Sequence, residues 1–141
     1  MAPKDVEIIH SIEVPEHLTA ENTVLMFPSD YATEITEMTK EELANIKRVV
    51  LIDSTWSQTK YYLRQPILEK MRHVKIQTEK TMFWRYQKGE ADTSLATIEA
   101  LYFFFRDYET RMKYENYKEY YSAGGKFDNL LYFYVHNFKV I

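Results

Sequence analysis

Cysteine is absent from this chain of 141 residues, which excludes disulfides and thiolate metal sites. Glycine and proline are scarce, with 3 and 4 residues, and no Gly-x-Gly signature or phosphate loop is present. No apolar run approaches the roughly 18 residues of a membrane span, so no membrane partner is expected. No secretory leader is visible, since Met1 to Ile12 is charged and polar; an intracellular protein, nuclear or cytoplasmic, is the expectation. His10, His17, His73 and His136 are far apart without ligand-like spacing, so no metal is expected. No Ser/His/Asp order is visible either.

What is present fits one ordinary globular domain. The length is enough for one real core and too short for two comfortable ones. Hydrophobic residues make up 45% and charged residues 28%, which rules out a disordered chain. Aromatics reach 16%, with 12 tyrosines, which suits an aromatic core or stacking against bases. The net charge of −3 argues at first against a polyanionic partner. Its distribution does not. Residues 1–59 hold 4 Lys/Arg against 11 Asp/Glu, whereas residues 60–88 hold 8 against 2. Such a local basic patch is the footprint expected for a phosphate backbone; a solvated helix face with scattered lysines is the plainer alternative.

The basic window follows the most informative stretch, Val49 to Trp56. Val49-Val50-Leu51-Ile52 is unbroken and rich in β-branching, which predicts a buried strand over 48–53. Asp53, Ser54, Thr55 and Trp56 follow at once, before a helix predicted from Trp56 to Leu63. A carboxylate and two hydroxyls at a buried strand's end are where α/β proteins place ligands. Asp53 or Ser54 capping the helix, with Trp56 in the core, is the competing reading.

Elsewhere the pattern predicts alternating strands and helices. Val6–Val14 reads as an edge strand and Thr23–Phe27 as a short strand stopped by Pro28. A helix, or two with a Thr39/Glu42 capping box, fits within 31–46. Pro66 breaks the second helix, and Ile67, Leu68 and Met71 suggest one more turn. His73–Thr78 and Met82–Tyr86 read as strands. Arg85, between Trp84 and Tyr86, is either a snorkelling surface residue or a planar fork for phosphate. Leu95, Ile98, Leu101, Tyr102, Phe105 and Tyr108 share one face of a helix from about 95 to 109. Its N-terminus offers backbone N–H groups to an anionic ligand, and the macrodipole alone accounts for Glu99 in its first turn. Arg111–Tyr121 is a tyrosine-rich helix or loop ended by Ala123-Gly124-Gly125, and Asp128–Phe138 reads as a last helix. The fold class is α/β: a mostly parallel sheet of four or five strands with helices on both sides.

Several motifs together resemble the DTW-domain family. Asp53-Ser54-Thr55-Trp56 resembles its Asp-x-Thr-Trp signature. Phe83-Trp84-Arg85 with Gln87-Lys88-Gly89, then Asp92-Thr93, resemble its arginine motif. Leu95-Ala96-Thr97-Ile98-Glu99-Ala100 resembles its Leu-Ser-Thr-x-Glu-Ala motif, with Ala96 where most relatives have serine. Leu25-Met26-Phe27-Pro28-Ser29 resembles its Leu-Phe-Pro loop. Phe127-Asp128-Asn129-Leu130-Leu131 resembles the tail of one eukaryotic branch. These motifs span 25–131 in the family's order.

The resemblance implies a tRNA-uridine aminocarboxypropyltransferase, which moves the 3-amino-3-carboxypropyl group of S-adenosyl-L-methionine onto N3 of a uridine in tRNA. It implies a SPOUT-like fold, allows a C-terminal knot, and allows a homodimer. Relatives carry a Cys-rich segment before the part seen here, so an N-terminally truncated domain is expected. On this reading Asp53 is the base that takes the N3 proton; burial would raise the proton affinity such a role needs. Thr55 orients it or bonds the uracil, and Trp56 stacks on the base. Phe27, Pro28, Ser29, Ser54, Leu95, Ala96 and Thr97 hold the cofactor; Arg64, Arg85 and Lys88 meet RNA. Two alternatives stay open: a non-catalytic remnant that binds RNA or cofactor, and a methyltransferase using the same cofactor.

Overall fold

The computed structural model describes residues 6–10, 13–54, 56–77 and 97–131. Within them four strands form one all-parallel sheet: β1 (Thr23–Met26), β2 (Thr33–Glu34), β3 (Arg48–Val50) and β4 (Arg72–Lys75). The order is β2-β4-β1-β3. Leu25 of β1 is level with Val50 of β3 on one side and His73 of β4 on the other.

Strand side chains alternate between faces, and each face has its own helices. Val24 and Val74 point to one side, joining Ile35, Met38, Leu43 and Phe104. That side is covered by α1 (Lys40–Ala44) and α4 (Thr97–Lys113). Leu25 points the other way, to Leu68 and Met71, with Val50, Ile52 and Tyr62 packed around them. That side is covered by α2 (Trp56–Leu63) and α3 (Pro66–Lys70). The expected parallel sheet with helices on both sides is therefore what the chain builds.

The local signals held where they carried a mechanism. Thr39 Oγ1 accepts from the Glu42 amide at 3.2 Å while the Thr39 amide donates to Glu42 Oε2 at 2.8 Å, the capping box that starts α1. Pro66 occupies the first turn of α3, where its missing N–H costs nothing. Gly124 and Gly125, at φ 95° and 49°, terminate α5 (Tyr117–Ser122) in the left-handed region, and a 3₁₀ helix at Asp128–Leu131 follows.

Four expectations need correction. Val6–His10 and residues 13–14 form no strand, and Val6 and Ile8 are exposed at 51% and 74%; loose alternation whose apolar side chains are not buried does not hold a ladder. The stretch 31–46 is not one helix: it opens with β2, and the two-helix alternative holds in the form of a 3₁₀ helix at Ile35–Glu37 followed by α1. β3 is an edge strand among the described residues, with Val49 and Val50 only half-buried. Its apolar run arises because each valine packs on a different face. On α4 the expected stripe misses Phe103, Phe104, Arg106 and Asp107, all buried. The helix is wedged between the sheet and the following segment, so it buries more than one stripe. The strand expected at Met82–Tyr86 and the segment 132–138 lie outside the described residues, as would a knot formed beyond 131.

A polar cluster ties α4 to α5. The Arg106 guanidinium lies 4.7 Å from the Phe103 ring centre and 4.5 Å from that of Tyr117. Its Nε and Nη2 donate to Asp107 Oδ1 at 2.9 and 2.8 Å. The Tyr117 hydroxyl donates to the same oxygen at 3.0 Å. Burial, then the Asp107 charge, pushes the Tyr117 phenol up to about 12.

Candidate active site

In a parallel sheet the carboxyl ends of the strands share one edge, and ligands bind there. β1 runs into Phe27-Pro28-Ser29 and its neighbour β3 runs into Leu51-Ile52-Asp53-Ser54. The two candidate loops leave the sheet side by side.

The first loop is held from behind. The Phe27 amide donates to the Val74 carbonyl at 3.0 Å, and the Ser29 amide donates to the Phe27 carbonyl at 2.8 Å. Phe27 packs into the apolar cluster under α2 and α3, while Pro28 is exposed and Ser29 half-buried. The Ser29 hydroxyl lies 2.9 Å from His73 Nδ1. His73 is 3% exposed, and its Nε2 lies 3.1 Å from the Leu68 carbonyl oxygen. The ring is fixed by Phe27 edge-on at 6.5 Å and by Tyr31 at 4.6 Å.

The second loop carries Asp53. Leu51 and Ile52 are half-buried and Asp53 is exposed. Its Oδ1 accepts from the Thr97 hydroxyl at 3.2 Å. Thr97 is the first residue of α4, 44 residues later, so this bond brings the amino end of a 17-residue helix to the same edge. Ser54 Oγ lies 2.9 Å from Thr59 Oγ1, a buried hydroxyl on α2.

The structure thus unites Phe27, Pro28, Ser29, Asp53, Ser54 and Thr97 at one sheet edge. It corrects the premise for Asp53: this carboxylate is exposed, three residues beyond the end of β3 and just past Ile52, which still packs on the core. Arg64 is exposed at the far end of α2, roughly 12 Å along the helix from its start. Lys60 is exposed one turn earlier. Arg72 is not a free member of the basic window, since it donates to Glu42 at 2.9 Å. Thr55, Arg85, Lys88, Leu95 and Ala96 lie outside the described residues, as does the side chain of Trp56.

Two residues escaped the sequence reading. His73 opens an alternating run, a signal for a strand but not for a partner 44 positions away. Glu99 is completely buried at 0% exposure. The macrodipole explains its place in the first turn but not that burial; its apolar neighbours Ile98, Ala100 and Leu101 were the available signal. A shallow depression of about 260 Å³ opens instead at Thr19, Glu21, Asn22, Thr23, Lys47 and Arg48. That is the amino edge of β1 and β3, the end of a parallel sheet that does not present ligand loops. Among the described residues no three His, Asp or Glu side chains group as a metal site. No helix among them is long and apolar enough to cross a membrane.

The family model for the DTW domain matches residues 4–138. The tRNA-uridine aminocarboxypropyltransferase 1 of Mus musculus is 46% identical over 96 residues, which are 68% of this chain and 30% of that protein. The Homo sapiens protein of that name is 43% identical over the same length, with the same coverage. That of Xenopus laevis is 40% identical over 102 residues, 72% of this chain and 33% of its own. The chain spans about a third of the curated relatives it matches. No solved structure matches it.

Proposed function

Because the chain belongs to the DTW-domain family, we propose that it transfers the 3-amino-3-carboxypropyl group of S-adenosyl-L-methionine to N3 of a uridine in tRNA. The observation that carries this is the hydrogen bond between Asp53 and Thr97 at the carboxyl edge of the sheet. It joins Asp53 of the Asp-x-Thr-Trp stretch to Thr97 of the Leu-Ala-Thr-x-Glu-Ala stretch, which supports reading these two motifs as parts of one site. The names of the relatives above support the same reaction for this chain.

The residues at this edge fit the cofactor's chemistry. Phe27 and Pro28 offer an apolar wall, Ser29 and Ser54 offer hydroxyls, Asp53 suits a cationic or hydroxyl-bearing partner, and the amino end of α4 suits a carboxylate. When bound, the cofactor supplies a carbon already activated by the neighbouring sulfonium. The reaction joins uridine N3 to that carbon, breaks the carbon–sulfur bond and releases methylthioadenosine. What the chain must add is position and a proton acceptor. Asp53 is that acceptor. Thr97 holds Oδ1, which orients the carboxylate and leaves Oδ2 to take the N3 proton. Asp53 is exposed in the free chain, so the desolvation a base needs comes from RNA closing over the edge. Lys60 on α2 and Arg64 just past its end, both exposed, hold the phosphate backbone there, with Arg85 and Lys88 in the same role. A SPOUT-like classification belongs to the same proposal.

The test is mass spectrometry of tRNA and small molecules after incubating the chain with S-adenosyl-L-methionine and unmodified tRNA. The expected products are methylthioadenosine and a uridine heavier by one aminocarboxypropyl group. S-adenosylhomocysteine with a methylated nucleoside would replace this reading with methyl transfer. Neither product, with cofactor and RNA both bound, would leave a binding domain.

A further inference from the structure

We infer that His73 sets the hydrogen-bonding polarity of Ser29, so that Ser29 meets the cofactor as an acceptor and selects one of its N–H or O–H donors. This rests on the reading of the 27–29 loop as part of the cofactor site.

The argument starts from the Leu68 carbonyl. It can only accept, and His73 Nε2 lies 3.1 Å from it. In its neutral form the ring therefore carries its proton on Nε2, and Nδ1 has a lone pair. The Ser29 hydroxyl, 2.9 Å from Nδ1, is left with one role, to donate. The Tyr31 hydroxyl is 3.5 Å from Nε2, too far to compete with the carbonyl. The ring cannot turn to exchange its nitrogens, because it is 3% exposed and held by Phe27 and Tyr31.

A serine hydroxyl has one proton and two lone pairs. With the proton given to His73, only the lone pairs remain for a ligand. Ser29 is half-buried, so part of it still faces outward. The cofactor's carboxylate and the ring nitrogens of its adenine only accept, and they are excluded from this position. Its α-ammonium, ribose hydroxyls and adenine amine can donate, and one of these is the partner. His73 touches no ligand in this scheme. It is a positioning residue that acts through Ser29.

Two measurements on the full chain test this. Long-range proton–nitrogen NMR of the histidine rings reads the tautomer without any ligand. The expected result is a protonated Nε2 and an unprotonated Nδ1 for His73; a proton on Nδ1 overturns the inference. Calorimetric titration with S-adenosyl-L-methionine reads the consequence. Ser29→Ala, at a half-exposed position that does not threaten folding, should weaken binding roughly two- to tenfold, the range for one neutral hydrogen bond. His73→Leu leaves the Ser29 lone pairs but frees its proton, so it should weaken binding by no more than Ser29→Ala does, and the double variant should bind no more weakly than Ser29→Ala alone, because His73 acts only through Ser29. His73→Asn, whose side-chain carbonyl again accepts the Ser29 proton, should recover binding. Wild-type affinity in Ser29→Ala overturns the inference while leaving the proposed function intact. Absence of cofactor binding to the wild-type chain overturns both.

Discussion

Replacing Asp53 with alanine separates the chemistry of the site from the stability of the fold. Asp53 is exposed, and the described bond to it is that from the Thr97 hydroxyl, at 3.2 Å. A single exposed charge-assisted bond contributes little to folding, about 0.5–1 kcal/mol, since water replaces the lost partner on both sides. For a chain of this size that corresponds to a fall in melting temperature of roughly 2–4 °C. Turnover should suffer far more. Removing a positioned proton acceptor costs about 10²- to 10⁴-fold in rate, which is roughly 3–5 kcal/mol of barrier. The assay pairs a thermal melt with methylthioadenosine release under saturating tRNA and cofactor. Asp53→Asn should show the same loss of turnover, because the amide keeps the shape but takes no proton. Thr97→Val, which keeps the carboxylate and frees its orientation, should lose about tenfold or less. Turnover of Asp53→Ala within tenfold of wild type would remove Asp53 from the mechanism. A melting temperature lower by more than about 10 °C would make it a structural residue instead.

Further outcomes follow from the cores and caps. Tyr117→Phe should cost roughly 1–3 kcal/mol in urea unfolding, since buried Asp107 loses a donor at 3.0 Å. The phenol of Tyr117 is raised from 10.0 to about 12 in the folded chain. Its stabilisation is therefore whole below pH 10 and lost as pH climbs toward 12. Tyr120, raised mainly by burial, adds loss in the same direction. Melting temperature should fall steeply over that range in the wild-type chain and less steeply in Tyr117→Phe. Thr39→Ala should cost about 1 kcal/mol, the usual value of an N-cap, with no change in cofactor affinity because the start of α1 lies by Arg111, at the other end of α4 from Thr97. The carboxyl of Glu42 is held low by the Thr39 amide first and by Arg72 second. Its contribution is present above the ordinary carboxylate range and fades as pH drops through it, which an acid titration of the two proteins followed by circular dichroism would show.

Much of this was legible because its causes are local. The Thr39/Glu42 box, the break at Pro66 and the helix from Trp56 to Leu63 each depend on residues within one or two turns, so spacing alone identifies them. The start of β3 at Arg48 was legible for the same reason, but its end was not: the ladder stops at Val50, three residues before the apolar run gives way to Asp53. β2 was not, because a strand of two residues, Thr33 and Glu34, has no period to read. It exists only because β4 offers it an edge. The face of α4 was misjudged because a one-stripe pattern assumes one neighbour, and α4 has the sheet on one side and the α5 segment on another.

What the sequence by itself determined was the class of fold, the place where strand chemistry gives way to site chemistry, and the motif set that relates the chain to its family. These follow from periodicity and residue type, which act over a few bonds. The tertiary structure alone decided which distant residues meet. Ser29 finds His73, and Asp53 finds Thr97, each across 44 residues. Neither pair follows from spacing, because a parallel sheet returns the chain to the same edge only after each crossover. The exposure of Asp53 and the burial of Glu99 were decided the same way. Accessibility is set by what packs above a residue, and packing is a property of the assembled layers.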